Sequence, residues 1–391
     1  MSREKVLMLA SVASMIEQFN RRNIKILLEL GYEVDVACNF KSGNTCSGRK
    51  IEELKKELNM LHVRCFQIDF SRSVTDLKHQ CIAFWQVKEL CMDNGYAFMH
   101  CQSPIGGAIG RLAAKLTGTK VIYTAHGFHF FKGAPLKNWL LFYPIEKGLS
   151  YFTDVLVTIN REDYSRAKTQ FHAKMTKYLP GIGIDTAKIA SCSVNREKKR
   201  QQLKIPSDAF VLLSAGELQE RKNHRVVLEA LYKMKNPDIV YLLAGQGELE
   251  KKYRSFIRSH GMEKYIRLLG FRDDITELCK IADCFIHPSK REGFGIAPME
   301  AMAAGLPLIA ANVNGMKDYT EDGRTGICVN PESAEEMCRA VLKMYHSRPF
   351  CHKCGAYNAQ VAKKYDSCVS DRIMKNIYRQ MGCSAREESM V

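Results

Sequence analysis

Between Phe285 and Ala310 the chain reads FIHPSKREGFGIAPMEAMAAGLPLIA, an order of residues that few architectures accommodate. A short apolar strand, predicted over Ile281 to Ile286, ends in the polar turn Glu292-Gly293-Phe294-Gly295. A helix follows, with Pro298 suited to its first turn and Gly305-Leu306-Pro307 closing it. A second apolar strand is predicted at Leu308 to Asn312. Strand, glycine loop, helix and strand form a βαβ unit, whose helix N-terminus offers free backbone N–H groups and a positive dipole end to an anion. Phosphate is the expected guest. Glu292 and Glu300 flank that loop and would repel an anion, so they suit hydroxyls better, and phosphate with hydroxyls suggests a nucleotide sugar. The plain alternative is a βα turn whose glycines serve only backbone geometry.

The same alternation runs through the chain. Strands are predicted at residues 5–10, Glu33 to Ala37, Val63 to Ile68, Tyr96 to Cys101, Lys120 to Thr124 and Val155 to Ile159, with helices over Ile16 to Leu30, about 75–93 and about 106–117. A glycine-rich turn at Pro180 to Asp185 and a lysine-rich stretch, Ser191 to Lys204, then interrupt the pattern. It restarts with strands at Phe210 to Ala215, Val240 to Ala244 and Ile266 to Leu269, alternating with helices near 223–234, 247–259 and 274–280, and ends in helices at Ala334 to Tyr345 and Ser367 to Met381. Strands separated by helices of this length predict α/β architecture, with two doubly wound parallel sheets in tandem. The expected domains are residues 1–185 and 186–365.

Composition narrows the partners without choosing one. The chain has 391 residues, 46% apolar and 26% charged, with a net charge of +16, which fits nucleic acid, anionic membrane or phosphorylated substrates. Fifteen cysteines without a disulfide-like framework suit a reducing compartment, and Cys351-x-x-Cys354 lacks a second pair at zinc-site spacing. The opening MSREKVLMLASVASM imitates a secretory signal but reads better as a first buried strand, and no stretch approaches the ~20 apolar residues of a spanning helix. His-Glu-x-x-His, Gly-x4-Gly-Lys-Ser/Thr and Asp-x-Asp are absent, so no metal is expected.

The grouping of Glu292, Gly293, Phe294, Gly295 and Glu300 resembles the signature of retaining glycosyltransferases of the GT-B fold, family 4. That resemblance implies two Rossmann-like domains facing a central cleft, with a last helix, about 366–382, returning to the first. It implies a donor site of Glu292, Gly293 to Ala297 (Gly293, Phe294, Gly295, Ile296, Ala297) and Glu300, with Lys222 for the diphosphate. Members pair that lysine with an arginine five positions earlier; here Glu217 stands in that place, leaving Arg221 as the candidate second cation. Gly245 resembles the family's glycine turn after a core strand, and Arg272 a residue bordering the nucleobase. In the first domain His126, leaving a strand, matches the family's histidine near the reacting sugar.

The resemblance further implies a metal-free transfer of sugar from a nucleotide-diphosphate donor, with UDP expected, to an acceptor hydroxyl with retention of configuration. No cofactor is expected beyond the donor substrate. TAHGFHFFKGAPLKNW and PGIGID resemble bacterial exopolysaccharide and capsule enzymes, implying a lipid-linked or saccharide acceptor and a cytoplasmic enzyme at the inner membrane face. A catalytically idle subunit binding a partner glycosyltransferase is the alternative; a nucleic-acid binder would cluster its basic residues without those carboxylates. No acid occurs between Asn94 and Ile145, where Arg111, Lys115, Lys120, Lys132 and Lys137 accompany Phe128, Phe130, Phe131, Trp139, Phe142 and Tyr143. Exposed aromatics beside cations predict contact with an anionic membrane surface.

Overall fold

The computed structural model describes residues 3–388, the side chains of 383–388 excepted. The chain divides into two compact units, one running to Ile182 and resuming at Cys368, the other spanning Gly183–Ser367.

The first unit runs β1 (Lys5–Val12), α1 (Ala13–Phe19), α2 (Arg21–Glu29), β2 (Glu33–Asn39), α3 (Gly48–Met60), β3 (Arg64–Gln67), α4 (Leu77–Asn94) and β4 (Phe98–Gln102). It continues through α5 (Pro104–Thr117), β5 (Lys120–Ala125), α6 (Leu136–Ser150), β6 (Val155–Thr158), α7 (Arg161–Gln170) and β7 (Met175–Tyr178). The seven strands form one sheet in the order β3-β2-β1-β4-β5-β6-β7, with every pairing parallel. Central strands such as β1 are buried along nearly their whole length because helices cover both faces, which is why they read as unbroken apolar runs.

The second unit comprises α8 (Thr186–Ser191), α9 (Arg196–Gln202), β8 (Phe210–Ala215), α10 (Arg225–Met234), β9 (Ile239–Ala244), α11 (Glu250–Ser259), β10 (Ile266–Gly270) and α12 (Ile275–Ile281). After these come β11 (Cys284–His287), α13 (Ile296–Ala303), β12 (Leu308–Ala311), β13 (Gly326–Val329), α14 (Ala334–His346) and α15 (Arg348–Ala362). Its six strands are parallel in the order β10-β9-β8-β11-β12-β13. The final helix, α16 (Ser367–Glu388), belongs from Cys368 onward to the first unit, where fully buried Tyr378 stacks on Phe98 and Arg22 forms a two-pronged ion pair with Asp371.

Several expectations need correcting. The single helix expected over Ile16 to Leu30 is two helices, broken at buried Asn20, whose side-chain amide donates to the Met15 carbonyl. Helix α3 has no counterpart among the expected elements, although parallel β2 and β3 require a crossover; Ser47 caps it and Ile51, Leu54 and Leu58 form its buried stripe. The strand expected from Ile281 begins three residues later because Ile281 still ends α12 and Asp283 is an ionic hub. Arg196 and Arg200 reach its carboxylate at 2.6 and 2.9 Å, and the Val211 amide donates to it at 2.7 Å. Part of the lysine-rich stretch is helix α9 rather than loop. Phe128, Phe130 and Phe131 are 3%, 0% and 6% exposed, so these aromatics are core and face no membrane, and Arg111 of the same stretch is buried on Glu146.

The second sheet brings its β8, β9 and β10 ends unusually close. Gly245, at φ +149°, donates its amide to the Gly270 carbonyl at 2.7 Å, and a Cβ added to it would stand 1.8 Å from the Gly216 carbonyl oxygen. Gly245→Ala is therefore expected to destabilise this unit by about 2 kcal/mol or more, since backbone must move. Thermal melting is the check, and an unchanged transition would show that these strand ends yield freely.

Candidate functional site

In a doubly wound sheet, ligands gather where neighbouring strands send their connections in opposite directions. In the second unit that point lies between β8 and β11, since β8 is flanked by β9 on one side and β11 on the other. The loop leaving β8 carries Arg221 and Lys222 in a short 3-10 turn, Glu220–Lys222, and the loop leaving β11 carries Glu292. Lys222 Nζ donates to Glu292 Oε2 at 2.5 Å, and Arg221 approaches the same oxygen at 3.5 Å. The Lys290 amide donates to the Arg221 carbonyl, which ties the two loops together through the backbone as well.

Charge at this point is balanced locally. Burial opposes ionisation of Glu292, but Lys222, His287 and Arg221 outweigh it and hold the carboxyl well below the usual carboxylate range. His287, fully buried at the end of β11, approaches Glu292 at 3.1 Å, and burial lowers its own pKa, so it serves as a neutral hydrogen-bond partner. Ser289 Oγ lies 3.1 Å from His287 Nε2. Sequence reasoning missed His287 and Ser289; the one signal was their place at a strand end, just before the glycine loop.

The glycine loop is shaped for the helix it opens into. Gly295 takes φ +89° as the residue before α13, and a Cβ there would crowd Pro298, the Tyr319 hydroxyl and Glu292. Tyr319 Oη donates to the Phe294 carbonyl at 2.8 Å, and the Gly315 amide to the Glu292 carbonyl at 3.1 Å. The first amides of α13, at Ile296 and Ala297, thus begin beside a fixed turn, one end of a helix whose early N–H groups have no intrahelical acceptor. Glu300, in the second turn of α13, has its pKa raised to about 7 by burial alone. Half-protonated carboxyls at neutral pH suit sites where charge state changes on binding.

Two expected donor residues have their bonding groups engaged elsewhere. The Gly245 amide donates to the Gly270 carbonyl, and the residue allows the close approach of the strand ends. Arg272 is bidentate to Asp274 at 2.7 and 2.5 Å, and Asp274 also takes Lys199.

In the first unit, β1 lies between β2 and β4, so the corresponding point lies between β1 and β4, and the loop after β5 opens one strand further along. His126, just past β5, donates from Nε2 to Gln102 Oε1 at 2.6 Å. The Gln102 amide and the Thr124 hydroxyl both approach Nε2 of buried His100 at 2.8 Å, so that nitrogen accepts and carries no proton. His100 then donates from Nδ1 to Tyr378 Oη at 2.8 Å. The chain fixes both tautomers. Burial lowers His126 to about 4, and burial with a smaller contribution from His126 lowers His100 to about 3. Both rings are neutral, and His126 is left with Nδ1 as its acceptor. Gln102 begins a turn, Gln102 to Gly107, that resembles the family's acceptor-side segment, whereas His100 and Tyr378 had no sequence signal, because their meeting depends on sheet register and on a helix 250 or more residues away.

Comparison with known proteins agrees with this architecture. Residues 195–361 match the family model for glycosyl transferases group 1, and residues 5–160 that for glycosyl transferase 4-like proteins. EpsD of Bacillus subtilis, itself named a glycosyltransferase only provisionally, is 34% identical over 99% of this chain and 100% of its own. The UDP-Gal:alpha-D-GlcNAc-diphosphoundecaprenol alpha-1,3-galactosyltransferase of Escherichia coli is 29% identical over 64% of this chain and 66% of its own. Among solved structures, HepE of Anabaena in complex with UDP and glucose aligns with a TM-score of 0.77 at 19% identity, covering 97% of this chain and 100% of that one. Sucrose-phosphate synthase from Thermosynechococcus elongatus aligns at 0.79 and 17% identity over 98% and 100%. With full-length identity to EpsD, both family models matched and the two parallel sheets in place, the chain belongs to the family 4 glycosyltransferases of the GT-B fold.

Proposed function

We propose that this glycosyltransferase moves a sugar from a UDP-linked donor to a lipid-linked or saccharide acceptor, with retention of configuration, in the synthesis of an exopolysaccharide, capsule or other cell-surface glycan. The observation that carries the reading is the Lys222–Glu292 pair at the β8/β11 crossover, beside the N-terminus of α13. A pyrophosphate arriving there brings more negative charge than one carboxylate and draws the Lys222 ammonium toward itself. Arg221, already within reach of Glu292, supplies the second cation that Glu217 does not. The α13 amides at Ile296 and Ala297 add the positive dipole end. Glu292, relieved of its cation, turns to hydroxyls of the donor sugar, and Glu300 accepts from the ribose.

These groups stabilise the diphosphate as it leaves, which is where charge develops when the glycosidic bond breaks. His126, neutral and with its tautomer set by Gln102, is assigned to the reacting end of the sugar. The chemistry needs no metal in this scheme, because Lys222, Arg221 and the helix end meet the diphosphate charge. Related proteins support the choice of ligands: HepE is described with UDP and glucose, and the Escherichia coli relative acts on a diphosphoundecaprenol-linked sugar with UDP-Gal. A lipid-linked acceptor would put the enzyme at the cytoplasmic face of a membrane.

Donor hydrolysis and transfer, measured across UDP-sugars with and without diphosphoprenol-linked acceptors, test the reading; no turnover of any nucleotide sugar would refute it. Lys222→Ala is expected to weaken UDP binding by about 1–3 kcal/mol, as a charged hydrogen-bond partner is lost. Unchanged affinity by calorimetry would remove Lys222 from the donor site. His126→Ala is expected to lower kcat much more than it changes UDP affinity, and the reverse pattern would place His126 in the nucleotide site or the fold.

Glu300 gives a pH signature. Its carboxyl is raised to about 7 when the site is empty, and the ionised form is the better acceptor for ribose hydroxyls, so nucleotide binding pulls the proton off. UDP affinity should therefore rise between about pH 6 and 8, with proton release seen by calorimetry in buffers of different ionisation enthalpy. In Glu300→Gln that rise should vanish. An equal rise in both proteins would assign it to the nucleotide's own phosphate.

A further inference from the structure

Helix α6 is apolar on its outer face as well as its inner one. Its inner face holds Glu146, Leu149 and Ser150, and Trp139, Phe142 and Tyr143 pack against the core below. Its outer face should be polar. Instead Leu136, Leu140, Leu141 and Ile145 are 72%, 71%, 51% and 48% exposed, succeeding one another at helical spacing. Helix α5 packs beside α6 and adds Leu112 and Leu116, at 42% and 63%. Single exposed leucines are ordinary, whereas four apolar side chains at helical spacing on α6, with two more on the adjoining α5, make an apolar ridge.

The ridge's own segment carries charge of one sign, and the acids nearby come from other elements: Glu162 of α7, which accepts from the Lys132 amide, and Glu89 and Asp93 of α4, which packs on α5. Lys115 on α5, Lys137 on α6 and Lys132 in the turn before α6 are exposed, and the segment from Asn94 to Ile145 holds no aspartate or glutamate. The next acid along the chain, Glu146, is turned inward, where it accepts from Arg111 at 2.8 Å and from the Tyr123 hydroxyl at 3.2 Å. A second copy of this chain is a poor occupant, since a symmetric pairing would set lysine against lysine. Apolar side chains ringed by cations match a different surface, the boundary between anionic headgroups and acyl chains.

We propose that the α5–α6 ridge docks this unit on an anionic phospholipid bilayer, the leucines entering the headgroup boundary and Lys115, Lys132 and Lys137 contacting lipid phosphates. The contact is carried by leucines and lysines, since Phe128, Phe130 and Phe131 of the same stretch are buried. It deepens the proposed function and rests on it for its purpose, because a lipid-linked acceptor presents its diphosphate at that surface. The contact is reversible. Three basic residues and partly immersed side chains give salt-sensitive adsorption, and no described helix is long and apolar enough to cross a membrane.

Sedimentation of the full chain with phosphatidylethanolamine vesicles, with and without phosphatidylglycerol, tests the proposal. The wild type should pellet with phosphatidylglycerol vesicles at low salt and partition about tenfold less at high salt. The triple variant Leu136→Ser, Leu140→Ser, Leu141→Ser should lose about tenfold or more at either salt, and Lys115→Glu with Lys137→Glu should lose its binding at low salt. Circular dichroism and UDP affinity should be unchanged in both, since none of these residues is in the donor site. Equal pelleting of wild type and variants would overturn the ridge as the docking surface. So would a wild type that ignores vesicles but dimerises through the leucines in size-exclusion chromatography. Vesicle binding that survives in a protein with no nucleotide-sugar turnover would fault the enzymatic reading and leave the docking surface standing.

Discussion

A carboxylate that is buried and ionised demands a partner, and in this protein the demand of Glu292 organises the second unit's functional end. Removing one member of such a pair typically costs about 3–5 kcal/mol because the other is left buried and unpaired. Lys222 meets it at 2.5 Å from the loop after β8, and His287 and Arg221 complete the surroundings. The two loops leave adjacent strands, so the ion pair spans the crossover point of the sheet. In the proposed function, the same pair holds the cation that the donor diphosphate would claim. Backbone geometry is tightly set in the same region, with Gly295 at positive φ, Tyr319 on the Phe294 carbonyl, and the β8, β9 and β10 ends in close contact.

The first unit solves its polar burial by the opposite means. Its crossover holds neutral groups, and hydrogen bonds run from His126 through Gln102 and His100 to Tyr378 with each proton's place determined. Desolvation keeps both histidines uncharged, which removes the cost of an unpaired ion and leaves His126 with a defined acceptor nitrogen. The last helix contributes Tyr378 to that chain of bonds, so the end of the polypeptide helps orient a side chain near its first third.

What was legible in the sequence was local. The βαβ unit around Glu292 and Glu300 could be read because the strand, turn glycines, helix start and second strand succeed one another directly. Lys222 could be read because it trails a clear strand. The break at Asn20 could not, since the apolar periodicity runs through it and only a buried side-chain bond to Met15 interrupts the helix. The burial of Phe128 to Phe131 was equally hidden, because hydrophobicity alone does not tell a loop that folds inward from one that faces a membrane. Gly245 and Arg272 resemble donor-site residues by position, and the partners that hold them, Gly270 and Asp274, are revealed only by the folded backbone.

The central claim is that the Lys222–Glu292 pair opens to hold the donor diphosphate. A crystal structure with UDP bound measures it directly. The account predicts pyrophosphate oxygens within hydrogen-bonding distance, about 3 Å, of Lys222 Nζ and of the amides at Ile296 and Ala297, with the ribose on Glu300. UDP bound elsewhere, or bound there while Lys222 stays on Glu292 and out of reach of phosphate, would contradict it.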